Sequence, residues 1–146
     1  MIGLLQRVTE ASVRVDGETI GRIGPGLLVL VGVQKHDDEA RMTRLLERLL
    51  GYRVFEDEAG RMNRALADTG GGLLLVPQFT LAADTRKGTR PSFSSAAPPE
   101  QARELFDALV KRAEAEHTGP VASGRFGADM QVALVNDGPV TFWLET

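Results

Sequence analysis

The sequence predicts an α+β domain with a largely antiparallel sheet and two main helices. Two observations point there. Only two segments carry a helical apolar stripe, and most of the remaining apolar residues fall in short runs separated by turn-forming residues. Strands and helices do not alternate regularly, so a doubly wound parallel sheet is not expected. At 146 residues the chain fits one domain, 1–146, large enough to bury a core without covalent staples.

Met1 to Val8 and Ala11 to Val15 read as a candidate strand pair, with a turn at Asp16-Gly17. The run Gly26-Leu27-Leu28-Val29-Leu30-Val31-Gly32-Val33 is apolar throughout and bounded by glycines, as a strand buried on both faces requires. In the first helix Met42, Leu45, Leu46, Leu49 and Leu50 form one stripe, with Arg41, Arg44, Glu47 and Arg48 outside it. Asp37 or Asp38 can cap its start and Gly51 can end it. Leu73 to Val76 reads as a second buried strand, with Gly70-Gly71-Gly72 as the turn before it. In the second helix Ala102, Leu105, Phe106, Leu109, Val110 and Ala113 repeat the stripe, after Pro98-Pro99 and before Gly119-Pro120. Met130 to Val135 and Val140 to Leu144 flank Asn136-Asp137-Gly138-Pro139, which reads as a hairpin or tight corner.

Composition narrows the chemistry. The absence of cysteine excludes disulfides, zinc-thiolate sites and thiol nucleophiles. A cytoplasmic setting fits this lack of cysteine; no apolar run approaches membrane-spanning length, and the N-terminus reads as a strand rather than a secretory signal. A formal charge of -3 argues against a large positive field as the means of holding nucleic acid. His36 and His117 lack metal-ligand spacing, and each reads as an ordinary surface histidine. A Ser-His-Asp triad therefore has little support. No metal or cofactor is expected.

Two segments stand out. The strand ending at Val76-Pro77 runs into Gln78-Phe79-Thr80-Leu81, where polar and apolar residues alternate. Arg86, Lys87 and Arg90 then face a single Asp84, a local balance of +2. This is either a solvated basic loop or an anion-facing loop suited to phosphates. The second segment is Asn136-Asp137-Gly138-Pro139-Val140-Thr141. Gly-Pro is either a plain turn or a place where backbone approaches a ligand closely and where a cis peptide is commonest.

Together these segments resemble the D-aminoacyl-tRNA deacylase family. The likeness runs over essentially the whole chain, including Met1 to Val8, Gly26 to Val33 and Leu50 to Phe55. The family motif Ser-Gln-x-Thr is matched by Pro77-Gln78-Phe79-Thr80, and Asn-x-Gly-Pro-x-Thr by Asn136 to Thr141. Pro77 departs from the family's serine, so no role for that hydroxyl carries over.

The resemblance implies a barrel-like sheet, a homodimer and a tRNA partner. It implies hydrolysis of D-aminoacyl-tRNA, and of glycine mischarged on the tRNA for alanine. It implies that a cis Gly138-Pro139 enters the partner's site, where its backbone carbonyls reject L-amino acids. Gln78, Phe79 and Thr80 become the candidate catalytic residues. Gly138, Pro139, Arg7, Met130 and Asn136 become candidate substrate-binding residues, with Phe79 and Met130 at the terminal adenosine and Arg7 bracing the partner's Gly-Pro segment. Arg86, Lys87 and Arg90 are the candidate tRNA contacts.

Ester hydrolysis needs attacking water and a stabilised oxyanion. Backbone N–H groups around Phe79 and Thr80 are candidates for the latter. Thr80 is either a nucleophile, for which no base is evident nearby, or a pocket residue beside a water that the ribose 2′-OH positions. Two other classes stay open: a small-ester or amide hydrolase using Thr80, and a non-catalytic nucleic-acid-binding dimer. Assay of D-Tyr-tRNA and L-Tyr-tRNA with wild type and Thr80→Ala separates all three.

Overall fold

A computed structural model describes residues 1–146. Its organising element is β1, Ile2–Val15, one continuous strand. The two segments expected to pair with each other are its two halves. A strand this long can pair different neighbours along its length. Its first half pairs antiparallel with β3, Gly26–Gly32, in the register Ile2↔Gly32 to Val8↔Gly26. Its second half pairs antiparallel with β2, Glu18–Ile23. Asp16 and Gly17 make the turn, both with positive φ (50° and 79°), the conformation of a two-residue hairpin that follows strand twist.

The sheet is mixed rather than largely antiparallel. After β3 the chain forms α1, Glu39–Gly51, a small hairpin of β4, Phe55–Glu56, and β5, Met62–Arg64, and the single turn α2, Leu66–Thr69. It then returns as β6, Gly72–Pro77, parallel to β3. From β6 it passes through α3, Pro99–Glu116, to β7, Val121–Ser123, parallel to β6. Parallel neighbours require crossovers of a dozen residues or more, and these two carry the helices. The sheet order is β2-β1-β3-β6-β7, and its ends curl together as a barrel-like sheet would. A methyl group at Gly21 of β2 would sit 3.0 Å from the Ser123 carbonyl oxygen of β7.

This curvature makes two cores. Leu27, Val29 and Val31 face Met42, Leu45, Leu46 and Leu49 of α1 and Phe106 and Leu109 of α3. Leu28 instead joins Val8, Val13, Ile23, Leu74 and Val76 inside the curl. β3 is buried on both faces, which explains its unbroken apolar run. Each fully buried leucine contributes about 1.5–3 kcal/mol relative to exposure. Asp38, not Asp37, caps α1 by accepting from the Arg41 N–H at 2.9 Å. Asp37 is buried instead, 2.6 Å from the Met1 ammonium, and its other oxygen accepts from Gln34 N–H at 2.6 Å.

β8, Gln131–Glu145, corrects the expected hairpin. Both halves pair antiparallel with β1, running the same way. Thr141 lies opposite Gln6 and Asn136 opposite Val8, so the residues between them leave the ladder as an outward excursion. His117 corrects the surface reading. It is 7% exposed, and its Nε2 lies 2.7 Å from the Gly71 carbonyl oxygen, tying the end of α3 to the turn before β6. No helix is long and apolar enough to cross a membrane.

Candidate active site

At Pro77 β6 can no longer donate to a ladder, and the chain turns away from the sheet. A single 3-10 turn follows, Phe79–Ala82. Its first internal bond runs from Leu81 N–H to the Gln78 carbonyl at 3.2 Å. The N–H groups of Phe79 and Thr80 precede that bond, so the turn leaves both without an acceptor within it. Gln78 N–H is used separately, donating to the Val31 carbonyl at 2.8 Å, which anchors the turn to β3.

Beside this turn lies a cavity of about 450 Å³. Its walls include Pro77, Gln78, Phe79, Pro99, Phe126 and Met130. Phe79 is 59% exposed and packs on Phe93 with ring centroids 5.2 Å apart. An aromatic residue this exposed at a cavity mouth offers a face for a flat ligand. Met130 is half-buried and packs on the inner core, so it serves both wall and core. Thr80 is exposed next to the cavity, and Gln78 Nε2 donates to its Oγ1. No side-chain base accepts the Thr80 hydroxyl proton.

The basic loop is less free than its composition suggests. Arg86 forms two hydrogen bonds to the Asp84 carboxylate, at 2.9 and 2.6 Å. These bonds hold the Asp84 carboxyl well below the usual carboxylate range and raise the Arg86 pKa. Lys87 and Arg90 are exposed and form no ion pair.

The second motif sits elsewhere on the chain. The Gly138-Pro139 peptide is cis, and both residues are exposed. Arg7, 7% exposed, donates from Nε to the Asp137 carbonyl at 3.1 Å and from Nη1 to the Val54 carbonyl at 2.7 Å. Within one chain, then, Arg7 holds the segment of its own chain. Asn136 closes the excursion from inside, accepting from Val140 N–H at 2.9 Å and donating to Thr141 Oγ1 at 2.8 Å. None of Arg7, Asn136, Gly138 or Pro139 lines the cavity beside Phe79.

The structure thus brings Gln78, Phe79 and Met130 together, with Thr80 adjacent, and leaves the Gly-Pro group apart. Sequence reasoning missed Phe93, Phe126 and Pro99. Phe93 had a readable signal, an isolated aromatic in the polar Arg90-Pro91-Ser92-Phe93-Ser94 stretch. Phe126 and Pro99 had none, since only the tertiary fold brings them to β6.

The family model described as D-Tyr-tRNA(Tyr) deacylase matches residues 4–145. The D-aminoacyl-tRNA deacylase of Thioalkalivibrio sulfidiphilus is 72% identical over 145 residues, covering 99% of this chain and 97% of that one. That of Alkalilimnicola ehrlichii is 68% identical, covering 99% and 96%. A solved c-Myc DNA unwinding element binding protein superposes with a TM-score of 0.94 at 39% identity, covering 100% of this chain and 99% of its own. A probable eukaryotic D-amino acid tRNA deacylase, at 19% identity and a TM-score of 0.79, shares the fold. A match this complete, in sequence and in structure, places the chain in the D-Tyr-tRNA(Tyr) deacylase family.

Proposed function

We propose that this chain hydrolyses the ester between a D-amino acid and the terminal ribose of its tRNA, releasing free amino acid and tRNA. The observation that carries this reading is the separation of the two motifs. One part of the molecule presents a cavity with the exposed Phe79 in its lining. Elsewhere it presents an exposed Gly138-Pro139 segment held from behind by Arg7 and Asn136. Each is half of a site, and a second copy supplies the other half. In the paired site the backbone carbonyls of the partner's segment face the substrate Cα. An L side chain collides with them, whereas a D side chain points away. Glycine has no side chain to reject, so glycine on the tRNA for alanine is also a substrate.

The terminal adenosine lies against Phe79 and Met130. The free N–H groups of Phe79 and Thr80 stabilise the oxyanion as water attacks the ester carbonyl. Thr80 is a pocket residue rather than a nucleophile, because its hydroxyl meets the Gln78 amide and no base. The ribose 2′-OH then positions the water. Pro77 carries no hydroxyl, consistent with a mechanism built on backbone and substrate groups. Lys87 and Arg90 are the readier phosphate contacts, with Arg86 shared with Asp84.

The test offers D-Tyr-tRNA and L-Tyr-tRNA to wild type and to Thr80→Ala. D-selective release that survives Thr80→Ala is expected. No D-selective release by wild type sinks the proposal, and complete loss in Thr80→Ala restores the nucleophile. Mixing Phe79→Ala with Gly138→Val tests the shared site. Activity returns on mixing if pocket and Gly-Pro segment come from different copies, and stays lost if they act within one.

A further inference from the structure

Phe126, in the cavity lining, carries on its ring a cation that the proposed reaction does not yet use. Arg103 is exposed on α3, with its guanidinium carbon 5.4 Å from the Phe126 ring centroid. Phe126 itself lines the cavity. The neighbouring Gly127 has φ +78°, and a Cβ there would lie 3.8 Å from Arg103 Nη2, so the guanidinium rests on the turn that forms this wall. Long arginine side chains normally sweep solvent. Stacking on an aromatic face confines this one at little cost, since a guanidinium is weakly hydrated and planar.

Its charge is also uncommitted. Arg86, Arg112 and Arg44 are paired with Asp84, Glu116 and Glu47, but Arg103 forms no ion pair and no side-chain hydrogen bond. A confined, unpaired guanidinium stacked on a residue of the cavity lining, in a chain of net charge -3, is placed to receive an anion. The cavity volume of about 450 Å³ suits one nucleoside, with Phe79 and Phe126 both in its lining. The first anion outside a nucleoside bound there is the phosphodiester on its 5′ side.

We propose that Arg103 binds the phosphodiester 5′ to the terminal nucleotide of the tRNA, and so distinguishes a nucleotide chain end from a free nucleoside ester. This rests on the proposed deacylase reading and adds to it a residue that reads the polynucleotide rather than the amino acid. Arg103 is a binding and positioning residue and touches none of the reacting atoms.

The experiment compares two small substrates, a D-tyrosyl ester of adenosine and the same ester on a cytidylyl-adenosine dinucleotide. The readout is the ratio of their kcat/KM values in wild type and in Arg103→Ala. Wild type is expected to favour the dinucleotide, and Arg103→Ala to lower that ratio about tenfold, the change expected on losing one charge-assisted hydrogen bond. With full tRNA, the variant's log KM should depend less steeply on log salt, by about 0.7 for one single-stranded phosphate contact. A ratio and salt slope equal to wild type overturn the assignment. Arg103 is exposed on the helix surface, so loss of folding does not confuse the result. If wild type hydrolyses neither ester nor D-Tyr-tRNA, the deacylase reading itself fails. Activity with unchanged discrimination removes Arg103 alone.

Discussion

Arg7 Nε donates to the main-chain carbonyl of Asp137 at 3.1 Å, across 130 residues of sequence. The same guanidinium donates to the Val54 carbonyl, so one buried side chain connects β1, the segment before β4 and the base of the Gly138-Pro139 excursion. Arg7→Ala removes the tether and leaves the Val54 carbonyl without its donor. We expect a stability loss of about 1–3 kcal/mol by denaturant unfolding. D-Tyr-tRNA deacylation should fall further than the unfolded fraction explains. A variant with wild-type turnover would show that the excursion holds itself in place.

Gly138 has φ +135°, a region L side chains rarely adopt. An added Cβ would also lie 2.7 Å from Val140 Cγ2 and 3.0 Å from the Val140 nitrogen. Gly138→Ala should therefore displace the excursion, at a cost of about 1–3 kcal/mol. Thermal melting and the ratio of D-Tyr to L-Tyr release check this together. A variant that melts and discriminates like wild type would mean that the segment adapts without consequence.

Asp84 and Arg86 give a prediction in pH and salt. The folded-state pKa of Asp84 lies below its ordinary 3.8, chiefly through the Arg86 side-chain hydrogen bonds. The pairing therefore stabilises the loop above that ordinary value and is lost as pH falls through the lower folded one. Asp84→Asn should differ from wild type in loop protection by hydrogen exchange near neutral pH and match it in strong acid. The same substitution raises the loop's charge by one and frees Arg86. Binding of tRNA should tighten and its salt dependence steepen, by about 0.7–0.9 in log–log slope if Arg86 takes up one phosphate. Equal slopes for variant and wild type would remove Arg86 from the RNA surface.

Asp37 and the Met1 ammonium are both fully buried, 2.6 Å apart. Asp37→Ala leaves the cation buried without its counter-ion, which typically costs about 3–5 kcal/mol. Asp37→Asn preserves the shape and removes the charge, and should fall between. Urea unfolding at neutral pH measures both, and a loss under about 1 kcal/mol for the alanine variant would show the ammonium reaching water instead.

Much of this was readable from the residues alone. The helix stripes gave α1 and α3 because a 3.6 period with a full apolar face has few alternatives. The unbroken run from Gly26 to Val33 told correctly of burial on both faces. Direction of pairing was partly readable: the unbroken apolar runs of β3 and β6, unlike the alternation of a half-solvated antiparallel strand, fit the parallel pair they form, but which strands neighbour each other depends on the crossover. The Asn136-Pro139 stretch showed turn chemistry, and turn chemistry does not reveal that both flanks pair with one long strand. The burial of His117 and of Arg7 was not readable, for a common reason. Their partners are main-chain carbonyls, of Gly71 for one and of Val54 and Asp137 for the other, and carbonyls leave no trace in composition. In the site, Gln78 and Phe79 were legible as an alternating strand end, whereas Phe126 reaches the same cavity from a loop 47 positions further on.

The pairing of β1 with β8 carries a cost during synthesis. Residues up to Val15 emerge from the ribosome long before Gln131 to Glu145 are made. Through that interval β1 can bind β2 and β3, but the edge reserved for β8 stays open. An open edge is a template for any other extended chain, and closing it requires contacts of the longest sequence separation in the molecule. The nascent protein is therefore most exposed to mispairing late in translation, when nearly all of its core is already available.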